Sequence, residues 1–221
     1  EVDFIITSLG SPKKVIDVCK PKGIKVFCDV INLYMAKKVQ DLNADGIIAV
    51  NSSAGGHLGK LSATEIINHF KDEITIPVIS AGGVGTKAGI AEKIDMGFAG
   101  VSIGSPFIAC EEADISKEYK NACVDYGKED IVISTKISGS PCTVINTPYV
   151  QKVGTQQNWL ESVLSKNRRL KKWVKMITFF KGIKSAEKAA FSSTYKTVWC
   201  AGPSIEYTKE ILPTKKIIKR L

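Results

Sequence analysis

The sequence has only two histidines, three tryptophans and three methionines, and no apolar run approaches the roughly 20 residues that span a bilayer. No basic start, apolar centre and small-residue cleavage site open the chain, so no secretory signal is read and a cytoplasmic location is expected. Six cysteines are scattered without a CxxC or a Cys/His cluster. Neither a zinc site nor a disulfide framework is suggested, and reduced, mostly buried thiols are expected, with no metal. Acidic residues are also in short supply, 22 against 31 basic, for a net charge of +9. Much of the excess sits in the C-terminal third, in Lys166-Asn167-Arg168-Arg169-Leu170-Lys171-Lys172 and Lys215-Lys216-Ile217-Ile218-Lys219-Arg220. No nucleic-acid motif accompanies these runs, which read as solvated helix faces and not as a nucleic-acid site.

What is present is enough for one substantial core or a core plus a small appendage: 221 residues, 44% of them hydrophobic. Short apolar runs alternate with helical stretches at intervals of roughly 25 residues. Strands are expected at Asp3–Thr7, Ile24–Cys28, Ile47–Val50, Ile76–Ser80 and Gly100–Ile103. Ser11-Pro12 opens one helix, Ser62-Ala63-Thr64-Glu65 resembles a capping box for another, and Thr86 can cap a third. Near-continuous apolar strands of this kind belong to a parallel sheet covered by helices. Five β/α units are visible, whereas a closed barrel needs eight, and the chain opens inside a strand. Beyond Ile131–Thr135 the alternation lapses. Residues 139–148 read as extended chain with turns, 158–190 as basic helices broken near Gly182, and Ser204–Ile211 as a last helix ended by Pro213.

Three segments carry the chemistry: Ala54-Gly55-Gly56-His57-Leu58-Gly59, Ser80-Ala81-Gly82-Gly83-Val84-Gly85-Thr86, and Ser102-Ile103-Gly104-Ser105-Pro106. In each, an apolar β-branched run ends abruptly in small residues, where a parallel strand hands over to a loop or helix and α/β folds bind ligands. The latter two read as a bipartite phosphate grip of exposed backbone N–H groups and a helix N-terminus. Gly83-Val84-Gly85-Thr86-Lys87-Ala88 fits a dinucleotide fingerprint superficially. The next strand ends Ile103-Gly104-Ser105, however, without the acidic residue that holds ribose hydroxyls, which favours a mononucleotide or sugar phosphate. His57, in a polar glycine-rich loop, can take or give a proton near neutral pH, although a structural histidine bonded to backbone fits the spacing equally. His69 shares a helix with Lys71 and Asp72 and reads as structural. Asn51-Ser52-Ser53 matches a glycosylation sequon but lies in the candidate site loop.

With these residues in order, the chain resembles the FMN-dependent nitronate monooxygenases and the related flavin-type enoyl-acyl-carrier-protein reductases. Ala54–Gly59 looks like the family's AGGHxG, Ile79–Gly83 like its strand and phosphate loop, and Gly100–Phe107 like its GVxxGTxF segment. The resemblance implies a TIM (β/α)8 barrel, lacking its N-terminal strands in this chain, with residues 1–135 as barrel and 136–221 as an extended segment and basic helical appendage. It implies FMN bound by Gly55, Gly56, Ser80, Gly82, Gly83, Gly104 and Ser105, the last four supplying backbone amides to the phosphate, and His57 as the base. Relatives often carry Glu or Cys where this chain has Ser53, and some carry a flavin-contacting Lys where it has Asp29, whose carboxylate would repel a reduced, anionic flavin.

The function implied is oxidation of alkyl nitronates with O2. The alternative is an NAD(P)H-dependent enoyl-acyl-carrier-protein reductase, and a further one a flavin-free phosphate-binding lyase or isomerase. The partners expected are a small-molecule substrate, nitronate or enoyl thioester, with O2 or NAD(P)H; neither nucleic acid nor membrane is expected, and a homodimer is left open.

Overall fold

A computed structural model describes residues 2–135, 140–156 and 198–221. In chain order it contains β1 (Phe4–Thr7), α1 (Lys13–Cys19), β2 (Lys25–Val30), α2 (Leu33–Asp41), β3 (Gly46–Val50), β4 (Gly56–His57), α3 (Ala63–Phe70), β5 (Val78–Ala81), α4 (Lys87–Asp95) and β6 (Gly100–Ser102). These are followed by α5 (Lys117–Asp125), β7 (Ile131–Ser134), β8 (Cys142–Ile145), α6 (Pro148–Val153) and α7 (Thr214–Arg220). The chain divides into two compact units, one of Glu1–Ala54 and Leu58–Ile103, the other of Gly55–His57 and Gly104–Leu221.

The first unit is a five-stranded sheet in the order β1-β2-β3-β5-β6, with every neighbouring pair parallel. Alternation along β2 sends Val26, Cys28 and Val30 to one face, where Ala36 and Val39 of α2 and Ile66 and Phe70 of α3 complete the core. The starts of α3 and α4 follow the expected signals, whereas α1 begins at Lys13, after Pro12 and without a side-chain cap, and α2 takes its cap from Asn32. Asn32 Oδ1 accepts the Met35 N–H at 2.9 Å. Ser62 and Glu65 form the reciprocal capping box, and Thr86 Oγ1 accepts the Gly89 N–H at 3.1 Å. Between β2 and β3, an Asp45 carboxylate oxygen accepts the Val26 N–H at 2.8 Å and fixes the entry to β3. On the opposite sheet face Phe4, Ile6, Phe27, Ile48 and Ile79 line a cleft of about 900 Å³.

The second unit holds an antiparallel sheet in the order β4-β8-β7. Its core contains Ala122 and Cys123 of α5, Ile145 of β8 and the fully buried Trp199, whose indole stacks on Tyr119 with ring centroids 5.6 Å apart. The Tyr119 hydroxyl donates to the Cys200 carbonyl. Helix α5 and strand β7 pack with these later residues, through Ala122, Cys123 and Ile131.

One local expectation is sharpened and another changes. Within the segment read as extended chain, residues 142–145 are a strand paired on both edges. Pro213 precedes the last helix instead of ending one: Pro203–Tyr207 is a short 3-10 turn and α7 begins at Thr214, whose N–H and hydroxyl both donate to the Glu112 carboxylate at 2.8 Å. The basic helices expected over 158–190 lie outside the described residues.

Candidate functional site

In the first unit, Asn51 joins the C-terminal ends of β3 and β5. Asn51 is buried immediately after the apolar β3. Its backbone N–H donates to the Ala81 carbonyl (3.0 Å), its side-chain amide donates to the Gly82 carbonyl (3.1 Å), and its Oδ1 accepts the Ser53 N–H (2.8 Å). Gly82 has φ +120°, and a Cβ there would collide with Asn51 Oδ1 and with the Ala54 backbone. Only glycine meets both demands. Gly83 follows with φ +78°, exposed, and a Cβ on it would lie 3.1 Å from Ser53 Cβ. The small side chain at position 53 is therefore matched to the loop opposite. From Gly83 the chain runs through Val84 and Gly85 into Thr86 and the nine-residue α4. Among the described residues the Gly83 N–H donates to no backbone carbonyl, so the loop presents a donor beside a capped helix start.

Ser80 is placed differently from its neighbours. The β5 alternation buries it on the Val78 face, away from Ile79, which lines the cleft. Its Oγ is buried with no hydrogen-bond partner among the described residues. Asp29, near the end of β2, alternates with Lys25 and Phe27 on the cleft side. Burial raises its carboxyl above the usual range, against an opposing hydrogen bond from Ser8.

In the second unit, Gly55 lies against Ser105 and Gly202. A Cβ on Gly55 would come within 2.7 Å of Ser105 Oγ and 2.9 Å of the Gly202 N, while Ser105 Oγ accepts the Gly202 N–H at 2.9 Å. The Ser105 hydroxyl thus ties its own loop to residue 202. Gly104 is exposed, and a Cβ there would meet nothing within 4 Å. Gly56 (φ +75°) and His57 form β4, paired with Thr143 and Cys142 of β8. His57 is exposed on that short strand. Its pairing rests on a contact 85 residues away in sequence, so no local pattern could announce it. Asn51 was missed for another reason: its sequon drew the reading, although a lone amide ending an all-apolar strand is a recognisable signal.

Among the described residues, no group of three or more His, Cys, Asp or Glu is placed to hold a metal ion, and no helix is long and apolar enough to cross a membrane.

The sequence profile of the nitronate monooxygenase family matches residues 1–221. The chain belongs to that family. Among curated family relatives, a probable nitronate monooxygenase of Staphylococcus saprophyticus is 28% identical over 69% of this chain and 46% of its own. A nitronate monooxygenase of Paraburkholderia phytofirmans is 31% identical over 57% and 37%. A Rhodococcus jostii protein, (3aS,4S,5R,7aS)-5-hydroxy-7a-methyl-1-oxo-octahydro-1H-indene-4-carboxyl-CoA dehydrogenase, is 30% identical over 66% and 41%. The chain therefore spans less than half the length of these relatives.

Of solved structures, FabK from Thermotoga maritima matches with a TM-score of 0.80 and 27% identity, over 98% of this chain and 66% of FabK. The nitroalkane oxidase of Streptomyces ansochromogenes matches in fold, with a TM-score of 0.70 at 19% identity over 97% of this chain and 62% of its own. The nitronate monooxygenase-type α/β barrel fold expected from the sequence is thus shown, this chain corresponding to part of it.

Proposed function

We propose that this chain serves FMN-dependent oxidation of alkyl nitronates by O2, with His57 as the base. The β5–α4 loop is the observation that carries the reading: Gly82 and Gly83 in left-handed backbone, braced by Asn51 and leading into a Thr86-capped helix. The residues present fit an FMN phosphate. Gly83 offers a backbone donor without a side chain, and exposed Gly104 faces open space where any Cβ would stand. In this reading the amides of Gly82, Gly83, Gly104 and Ser105 bind the phosphate, Gly55 lets the cofactor-binding loop pack closely on Ser105 and Gly202, Gly56 leaves room for the cofactor, and Ser80 contributes backbone at the strand end. When bound, the flavin supplies electron transfer between substrate and oxygen. The protein's own part is proton handling. His57, exposed on β4, takes the proton from the carbon next to the nitro group of a neutral nitroalkane, or steadies a nitronate already ionised.

A second reading, NAD(P)H-dependent reduction of an enoyl thioester, uses the same AGGH and double-glycine segments. The Rhodococcus relative's name records a carboxyl-CoA, a thioester, and that observation favours it.

One experiment separates them. The purified protein should show a flavin absorbance spectrum that bleaches on anaerobic addition of a nitronate, without NAD(P)H. Bleaching by NAD(P)H alone would establish the reductase instead, and a colourless protein would leave a phosphate-binding lyase or isomerase. His57→Ala should lower turnover of neutral nitroalkanes roughly 10²–10⁴-fold while the flavin stays bound. Unchanged turnover would remove His57 from the base role.

A further inference from the structure

Two of the six cysteines stand apart from the rest. Cys142 of β8 and Cys200 bring their sulfurs to 3.7 Å, across 58 residues of sequence. Val144 forms an isolated antiparallel bridge with Cys200, so backbone pairing holds the two chain segments together where the thiols meet. Cys142 is buried beside Val144, Val150 and Val198, whereas Cys200 is half-buried. The remaining four are buried singly. Cys28 Sγ accepts a hydrogen bond from Thr7 Oγ1 at 3.2 Å, and burial raises its thiol; burial pushes the Cys123 thiol up to about 12. Such thiols stay protonated and inert.

We propose that Cys142 and Cys200 form a redox-active dithiol, closed to an intramolecular disulfide by exchange with a low-molecular-weight disulfide. Their sulfurs are already in van der Waals contact; Cys200 stands opposite Val144 and so diagonal to Cys142, and closing the bond to about 2.0 Å draws the two segments together as well. The roles are unequal. A hydrogen bond from the Cys142 thiol lowers the Cys200 thiol, which favours Cys200 as the sulfur that gives up its proton first. The same hydrogen bond, then burial and the Cys200 charge, raise Cys142.

Cys200 is therefore the attacking sulfur. It gives up its proton and bonds to one sulfur of the incoming disulfide; that S–S bond breaks, and the departing thiolate takes up a proton. Once Cys200 is a neutral mixed disulfide, two of the three influences raising Cys142 are gone and only its burial remains. Cys142 then loses its proton and its sulfur attacks Cys200, forming the internal bond and expelling the second small thiolate, which is protonated. Two cysteine thiols are oxidised by two electrons, and one small disulfide is reduced to two thiols. Cys142 is also the cross-strand partner of His57, so one sulfur of the dithiol lies on the strand next to the candidate base.

The test is mass mapping of the folded full chain after incubation with oxidised glutathione and quenching by alkylation. The wild type should lose the mass of two hydrogen atoms and yield one disulfide joining the peptides of Cys142 and Cys200. Cys19, Cys28, Cys110 and Cys123 should remain alkylatable after denaturation. Cys142→Ser should stop with a single glutathionyl group on Cys200, and Cys200→Ser should leave Cys142 unmodified. A wild type that keeps all six thiols, holds a glutathionyl group on Cys200 without closing, or links other cysteines would overturn the proposal. Because that reading is made on the wild type, it stands even if the buried Cys142→Ser variant fails to fold.

Discussion

Gly82 shows how one residue type can be forced from two directions. Its φ of +120° lies where side chains are strained, and the space a Cβ would need is taken by Asn51 Oδ1 and the Ala54 backbone. Gly82→Ala should therefore destabilise the fold by about 1–3 kcal/mol, read as a lowered thermal midpoint, and weaken retention of flavin in the same preparation. Gly104→Ala is the contrast: with nothing within 4 Å of the added methyl, stability should hold while flavin retention alone responds. Loss of stability in both, with equal flavin content, would separate these glycines from cofactor binding.

Asp29 is a residue-scale case of linkage. Burial raises its carboxyl in the folded chain, so folding favours the protonated form. Stability attributable to this group is present at acid pH and lost as pH rises from the unfolded carboxyl range through the raised folded value. Asp29→Asn should be more stable than the wild type at pH 7, with the gain fading as the pH is lowered into the carboxyl range. Paired thermal melts across that range would show it, and a gain independent of pH would point to packing instead.

At the scale of elements, legibility follows the range of the interaction that makes each element. Helices α2, α3 and α4 start where Asn32, Ser62 and Thr86 accept N–H groups three residues on, contacts written in adjacent sequence. The five parallel strands are apolar enough to be read one at a time. By contrast, β4 exists only because Gly56 and His57 pair with Thr143 and Cys142, and α7 starts where Glu112 receives Thr214, 102 positions away. No window of sequence contains both partners, so a proline that could end a helix was read that way. Thr86 links this scale to the site, since it caps the helix that follows the glycine loop. Thr86→Ala should cost about 0.5–2 kcal/mol and Thr86→Ser much less, as judged by denaturant midpoints. Equal losses would mean that the threonine methyl, and not the hydroxyl bond to Gly89, holds the helix start.

At the scale of the whole molecule, the most consequential feature is an apolar sheet face that is open among the described residues. Phe4 and Ile6 of β1 are 55% and 51% exposed, on the face that also presents Phe27, Ile48 and Ile79 to the cleft. Contiguous apolar surface of that kind promotes association, while a net charge of +9 opposes it by mutual repulsion between copies. The balance between them is set by salt, since screening shortens from about 10 Å at 0.1 M to about 3 Å at 1 M while apolar attraction is not screened. The 221-residue chain alone should therefore bind the dye ANS in its folded state and self-associate more strongly at about 1 M than at about 0.1 M salt. Ile6→Ser, which places a hydroxyl on the exposed half of that face, should reduce both dye binding and association with little change in thermal midpoint. Association that weakens with added salt would instead identify the basic surface as the contact, and dye binding untouched by Ile6→Ser would locate the apolar surface elsewhere.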